Sequence, residues 1–528
     1  MPHFRLFRAL VSLALLAGAF VGRVVAADRP NIVVILADDL GLGDLSCYNS
    51  ASAWRTPNLD RLARQGWRFT DAHSASGLCT PSRYALLTGR YAWRGALKRS
   101  VLFGYDASLI EPGRLTVAQL LRERGYATAV IGKWHLGLDW VRRGSEAHDV
   151  DFSRPFGGGP LAHGFDRFFG ISASLDMPPY VWLRDDRVAT PPTGGVEDSL
   201  PPKLWRAGPI AEDFRMEDVN RRLFDAAVEY IAERADAADR RPFFLYLPLA
   251  APHTPILPRA PFAGSTPTEY GDFVAEVDGD VGRLLATLDR LQLAANTLVI
   301  FASDNGFAPP ADVAAHRRIG HDPGMGLRGY KSDLYEGGHR IPLLVRWPAG
   351  ISAGERCDEP VGLVDLLATC AELVGATLPD DAGEDSVSLL PLLDRERGRD
   401  FRRPPLVHHS GEGRFAIRDG RWKLLLWPGS GGWSAPTPRP SRWLDIAPTD
   451  LAGLPKYQLF DLETDRAEQV NVADRHPDIV QRLGRTLREY VLRGRSTPGP
   501  DRAEARAADW PELEWMPDFA GENSPQLR

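Results

Sequence analysis

Residues 31–37 form an almost unbroken apolar run that stops at Asp38-Asp39. Such a run predicts a strand buried on both faces. The pattern recurs. Residues 126–131 are apolar and lead to Lys133 and His135, residues 243–249 lead to Pro252-His253, residues 297–302 lead to Asp304-Asn305, and residues 341–347 make one more apolar strand. Helical periodicity lies between them at 116–124, 219–234 and 273–291. Thr56-Pro57 opens a further helix, with threonine as N-cap, proline at the first helical position, and Leu59, Leu62 and Ala63 on one face. This alternation predicts an α/β fold, a large mixed, mostly parallel sheet with helices on both faces. Ligands of such sheets bind beyond the carboxyl ends of the strands. Each polar strand end has a plain alternative as a turn, a cap or a surface side chain. Four of them together mark one place for chemistry.

From about residue 400 the pattern shortens. Residues 415–418 and 422–426 flank Asp419-Gly420, a hairpin signal, and 457–461 is a further strand. Ile479, Leu483, Leu487 and Val491 give 477–493 a helical repeat. The expectation is a smaller C-terminal antiparallel sheet with a packing helix. The expected organisation is a signal peptide at 1–27, a large domain at 28–400, a small α+β subdomain at 401–496, and an irregular, loosely attached tail at 497–528. The signal reading rests on Arg5 and Arg8, an apolar run at 10–21, and small residues at Val25-Ala26-Ala27. It implies export to the periplasm or the exterior. No later stretch is apolar and long enough to span a membrane. None of the eight asparagines lies in Asn-x-Ser/Thr, which favours a bacterial source.

Composition narrows the function. Hydrophobic residues at 44% and charged residues at 25% exclude a disordered or fibrous chain. With 63 basic and 69 acidic residues the net charge is −6, so nucleic acid is not an expected partner. Only six of the basic residues are lysine, so Lys133 and Lys331 stand out beside polar strand ends and turns. Four cysteines in 528 residues are no disulfide framework, and a Cys357–Cys370 bond is left open.

The most specific segment is Cys79-Thr80-Pro81-Ser82-Arg83, followed by Leu87-Thr88-Gly89-Arg90. A second is Gly125-Tyr126-Ala127-Thr128-Ala129-Val130-Ile131-Gly132-Lys133-Trp134-His135. Together with Asp38-Asp39, Pro252-His253-Thr254-Pro255, Asp304-Asn305-Gly306 and Gly329-Tyr330-Lys331, these resemble the type I sulfatases over most of residues 30–350. Gly164-Phe165-Asp166 and residues 174–180 resemble bacterial carbohydrate sulfatases, including N-acetylgalactosamine-6-sulfatase-like members.

The resemblance implies an alkaline-phosphatase-like fold and hydrolysis of sulfuric esters of a carbohydrate or an aryl alcohol. In that family a formylglycine-generating or other sulfatase-maturating enzyme oxidises the cysteine to formylglycine (3-oxoalanine), which acts as its hydrate. One hydroxyl attacks sulfur; the second, once deprotonated, expels sulfate. Carboxylates grouped with an amide suit a hard cation with oxygen ligands. By resemblance, Asp38, Asp39, Asp304, Asn305 and the modified Cys79 hold Ca²⁺, with Mg²⁺ the lesser option. Arg83 is expected to orient residue 79, Lys133 and Lys331 to contact sulfate oxygens, and His135 to take the proton of the second hydroxyl. His253, with Lys331, is expected to protonate the leaving alcohol. Asp176 and Tyr180 are candidate contacts to sugar hydroxyls; His316 and His321 read as loop histidines near the mouth. Two other readings stay open: a phosphate-ester hydrolase of the same superfamily, and a binder of sulfated glycans if Cys79 is never oxidised.

Overall fold

The computed structural model describes residues 29–200, 203–394, 396–441, 443–502 and 510–521. The expected signal peptide lies outside the described residues. In chain order the strands are β1 Asn31–Ala37, β2 Trp67–His73, β3 Ala127–Lys133, β4 Arg167–Ile171, β5 Leu183–Arg184, β6 Arg187–Val188, β7 Gly194–Val196, β8 Gly208–Ile210, β9 Phe243–Pro248, β10 Thr297–Ser303, β11 Arg340–Arg346, β12 Glu355–Cys357, β13 Val361–Gly362, β14 Leu406–His409, β15 Phe415–Asp419, β16 Trp422–Leu425 and β17 Gln458–Asp461. The helices are α1 Pro57–Arg64, α2 Cys79–Thr88, α3 Val117–Glu123, α4 Val219–Asp236, α5 Glu269–Arg290, α6 Val313–Arg318, α7 Glu336–His339, α8 Leu366–Leu373 and α9 Pro477–Arg493.

The large sheet runs β12-β2-β11-β10-β1-β9-β3-β4-β5-β6, and β13 also pairs with β2. Five neighbours, β10, β1, β9, β3 and β4, are parallel. Strands β1, β3, β9 and β10 are buried along almost their whole length, as their apolar runs require. The expected strands and long helices form within a few residues of the boundaries read from the pattern. Thr56 precedes α1 but does not cap it: its hydroxyl accepts from the backbone of Ser46 and contacts Asp60. Thr116 does cap α3, accepting from the Gln119 amide at 3.1 Å. Strand β2 escapes the pattern because polar Arg68, Thr70, Asp71 and His73 interrupt it.

The small antiparallel sheet, β14-β15-β16-β17, packs on α9 and on the large sheet. Buried ion pairs join the two sheets. Arg418 on β15 grips Asp71 on β2 with both Nη atoms, at 2.7 and 2.6 Å. Lys423 on β16 meets Glu336 at 3.0 Å and Glu468 at 2.9 Å. His408 lies in this seam, stacked on His339 at 3.7 Å. Tyr91 and Trp93 are also buried there, so these aromatic residues serve packing.

One open point closes and one expectation needs correction. All four cysteines are free thiols, so Cys357 and Cys370 are not bonded. The part of the tail at 510–521 is not loosely attached: Trp510, Leu513, Trp515, Met516 and Phe519 are buried in the apolar cluster that includes Trp93, Phe415 and the inner face of α9. Gly484 on α9 makes room for Phe519, whose ring lies 2.2 Å from where a Cβ would stand. Charged neighbours hide these anchors in the composition of the tail. Trp515→Ala is therefore expected to cost about 3–5 kcal/mol, the range for a large core aromatic, measured as a fall in the urea unfolding midpoint.

Candidate active site

Parallel pairing aligns the polar strand ends along one edge of the sheet. Ala37 lies opposite Ser303, Leu36 opposite Pro248, and Lys133 opposite Ile171. Asp38-Asp39, Asp304-Asn305, His253, Lys133 and His135 thereby meet. A fifth end, Ser174 beyond β4, joins them; it escapes the sequence because β4 is short and Ser174 lies three residues past its end. Backbone bonds lock the edge: Asp304 N donates to Ala37 O and Asp38 N to Ala251 O, each at 3.0 Å. Asp39 (φ 66°), His135 (φ 55°) and Ser332 (φ 83°) adopt the left-handed region, a strain that ordinary loops rarely carry.

Helix α2 explains the spacing of the Cys-x-Pro-x-Arg segment. Cys79 is its first residue, and Pro81 lies in the first turn, where a missing N–H costs nothing. Arg83, one turn on, shares the face of Cys79. Gly89 ends the helix at φ 63°, donating to Ala85 O. Every residue of this helix is buried, Cys79 at 2% exposure.

Three carboxylates face three cations. Arg83 donates to Asp304 Oδ2 from Nε at 3.0 Å and from Nη2 at 2.8 Å, and Nη1 donates to Lys133 O at 2.9 Å. In this structure it therefore orients the Asp304 carboxylate and the end of β3. Lys133 Nζ donates to Asp38 Oδ2 at 2.5 Å and to Ser174 Oγ at 3.0 Å. Lys331 Nζ lies 2.6 Å from Asp39 Oδ1. Asn305 Nδ2 donates to the same oxygen at 2.7 Å. His253 lies with Nε2 3.5 Å from Asp39 Oδ2 and within 3.3 Å of Ser174 Oγ.

Burial alone would raise Asp38, yet the charges of Lys133, His253, Arg83 and Lys331 hold it well below the usual carboxylate range. Burial and the neighbouring Asp38 push Asp304 up to about 7, against Arg83 and Lys133. Burial raises the Cys79 thiol despite Lys133 and Lys331, so the cysteine as such is a poor nucleophile. Burial, Lys133 and Arg83 depress His135 far below its ordinary value. Its Nε2–H donates to Leu102 O at 2.7 Å, which leaves Nδ1 as a buried nitrogen with a free lone pair.

The donor set fits a hard cation. Asp38, Cys79 and Asp304 bring ligand atoms within 4.8 Å of one another, as do Asp38, Asp39 and His253. Asp38 Oδ1 and Asn305 Oδ1 are buried without a hydrogen-bond partner among the described residues. Carboxylate and amide oxygens of this kind are ligands of calcium or magnesium.

Residues not evident in the sequence hold the set in place. Asp44 accepts from Tyr270 Oη at 2.6 Å and from His321 Nε2 at 2.8 Å, and Tyr270 also reaches Asp39 O at 3.3 Å. His321 and His316 are thus buried beneath the Asp38-Asp39 turn, packed on Trp54, and do not line the mouth. Asp333 accepts from the Tyr330 amide at 2.8 Å and from Ser434 of the C-terminal part, fixing the turn that carries Lys331. Tyr180 is buried at 1% exposure and its hydroxyl donates to Arg206 O at 2.6 Å, so it supports the 174–180 segment and leaves the set of candidate sugar contacts. Asp176 pairs with Arg206 through Oδ2, and its Oδ1 has no partner among the described residues.

Buried ammoniums, carboxylates and a helix-borne cysteine thus meet at the carboxyl edge of an α/β sheet, and the chain that carries them is similar to known proteins. The Sulfatase family model matches residues 30–376. The N-acetylgalactosamine-6-O-sulfatase of Bacteroides thetaiotaomicron is 33% identical over 507 residues, covering 88% of this chain and 94% of its own. Human arylsulfatase A is 37% identical over 511 residues, covering 94% of each chain. A solved sulfatase from work on glycosaminoglycan metabolism in Bacteroides thetaiotaomicron superposes with a TM-score of 0.75 at 33% identity, over 88% of this chain and 99% of its own. The chain belongs to the sulfatase family. It is an enzyme, a hydrolase of sulfate esters with the alkaline-phosphatase-like fold, which sets aside the reading as a binding protein without turnover.

The Asp333 clamp has a pH signature. Burial raises its carboxyl from an ordinary 3.8 to about 6, so the folded chain binds this proton more tightly than the unfolded one. Its contribution to stability is full below 3.8 and is lost as pH rises through about 6. The loss is on the order of 3 kcal/mol. Comparing urea midpoints at pH 4, 5, 6 and 7 should show Asp333→Asn with a flatter profile than the parent.

Proposed function

We propose that this sulfatase releases sulfate from a sulfated carbohydrate, using formylglycine made from Cys79 and a Ca²⁺ ion held by Asp38, Asp39, Asp304, Asn305 and the modified residue 79, with Mg²⁺ the lesser option. The observation that carries the reading is the pair of buried oxygens without a hydrogen-bond partner, Asp38 Oδ1, which has the Arg83 guanidinium at 3.7 Å, and Asn305 Oδ1, beside a helix-borne cysteine that burial keeps as a thiol. A buried acceptor without a partner costs about 1–3 kcal/mol, which a bound cation would offset. When bound, the ion supplies positive charge to sulfate oxygens and acidifies the attacking hydroxyl. The hydrated aldehyde supplies a nucleophile with a second hydroxyl, which neither cysteine nor serine has.

The remaining work falls to the chain's own side chains. Lys133 and Lys331, already drawn in by Asp38 and Asp39, turn their other N–H donors to the sulfate oxygens. Arg83 holds Asp304 in place as a ligand and lies one turn from residue 79. Neutral His135 takes a proton at Nδ1 from the second hydroxyl. His253, at 8% exposure among the least buried of the set, donates a proton to the leaving alcohol, with Lys331 beside it. Carbohydrate as the alcohol is supported by relatives named for N-acetylgalactosamine-6-sulfate and by the exposed Arg206 guanidinium that Asp176 holds two residues beyond Ser174. The apolar start of the chain supports export from a bacterial cell, with a separate maturating enzyme acting on Cys79.

Mass spectrometry of the peptide spanning Cys79, on protein from its own host, is expected to show the aldehyde in place of the thiol. Cys79→Ala should abolish sulfate release from N-acetylgalactosamine 6-sulfate and 4-nitrophenyl sulfate. Lys133→Ala should lower kcat by about 10²–10³-fold, the loss expected for one oxyanion donor. Chelation should remove activity and Ca²⁺ should restore it. An unmodified thiol in fully active protein, or a strong preference for 4-nitrophenyl phosphate, would overturn the proposal.

A further inference from the structure

Two loops bracket the reaction centre, and an exposed pair of side chains joins them. Leu102 belongs to the first loop: its carbonyl accepts from His135 Nε2 at 2.7 Å and its amide donates to Thr80 Oγ1 at 3.2 Å. The next residue, Phe103, is 45% exposed. Among the described residues it is the one aromatic side chain in the small group of strongly exposed large hydrophobics. The second loop starts at Ser174, beside Lys133 and His253, and reaches Asp176 two residues later. Asp176 O accepts from the Arg206 amide at 3.1 Å, and its carboxylate pairs with the Arg206 guanidinium, which is 39% exposed. That guanidinium lies over the Phe103 ring, 5.5 Å from its centre. The loops are also in direct contact below, since a Cβ on Gly104 would stand 2.0 Å from Pro178 O.

We propose that Phe103 and Arg206 form the platform that receives the sugar ring of the substrate. The inference rests on the carbohydrate sulfatase reading above and adds how a sugar ester is told from other sulfate esters. An aromatic face left in water beside a reaction centre suits the C–H face of a pyranose, which removes apolar surface from solvent on both partners. The guanidinium contributes a planar fork of donors, of which Asp176 occupies Nη1. Asp176, itself buried, holds the guanidinium in place against the ring. The donors left on the exposed guanidinium match the oxygens of sugar hydroxyls. Because Asp176 neutralises Arg206, the platform reads hydroxyls and not a second anionic group.

The test compares N-acetylgalactosamine 6-sulfate with 4-nitrophenyl sulfate, which has no hydroxyl to read, on the matured enzyme. Arg206→Ala is expected to raise KM for the sugar ester about tenfold and to leave the aryl ester within about twofold. Phe103→Ala, on the other loop and facing solvent, should raise the sugar KM similarly, and Phe103→Trp should retain it. Added salt should move neither KM difference. Parallel losses on both esters in Arg206→Ala, or a sugar KM unmoved in both alanine variants, would overturn the platform. Continued turnover of the aryl ester by each variant separates that failure from a failure of the hydrolytic chemistry.

Discussion

Mutual neutralisation of buried charge is the constraint on which this site depends. Asp38, Asp39 and Asp304 are taken out of water at the edge of the sheet, and Arg83, Lys133 and Lys331 go with them. Alone, any of the six would be costly to bury, and each removal would leave an opposite charge exposed to low dielectric. The pairing is also directional. Arg83 commits two donors to the Asp304 carboxylate, whereas each lysine commits one to a carboxylate, Lys133 giving a second to Ser174. The rigid fork fixes a carboxylate, and a compact ammonium suits an anion. The division explains why a chain that uses arginine almost everywhere has lysine at these two positions.

The sheet makes this balance possible. Only adjacent parallel strands can deliver five carboxyl ends to one small volume, and β10, β1, β9, β3 and β4 are such neighbours. The C-terminal sheet then acts as a buttress. Ser434, in the connection between β16 and β17, holds Asp333 under the Lys331 turn, and the backbone of His409 on β14 accepts from Gly77, close before Cys79. Stability of the second sheet and alignment of the reaction centre are therefore linked through backbone contacts.

Much of this was legible in the residue pattern. Runs such as Asn31–Ala37 announce doubly buried strands, and their polar termini announce the edge that carries the site. What stayed hidden has physical causes. Ser174 follows a strand of only five residues with an exposed first residue, so the apolar run before it is too short to stand out. Strand β2 carries Asp71 and His73 because it faces the buried seam to the second sheet, where ion pairs replace apolar packing. Asp44, Tyr270 and Asp333 act through long-range contacts that local spacing cannot register. Tyr180 and the two histidines at 316 and 321 were legible as residue types but not in orientation, and burial turned all three inward.

The complete enclosure of α2 bears on the order of events in the life of the chain. Cys79, Pro81 and Arg83 are all buried once the helix is packed, so an enzyme that must grip the whole segment, and not only reach residue 79 from the site, would need it unpacked. If residue 79 is oxidised as proposed, that step would fall on the nascent or still unfolded polypeptide. On the same proposal folding would enclose the new aldehyde, and a molecule that folded unvisited would keep the inert thiol for as long as it stayed folded.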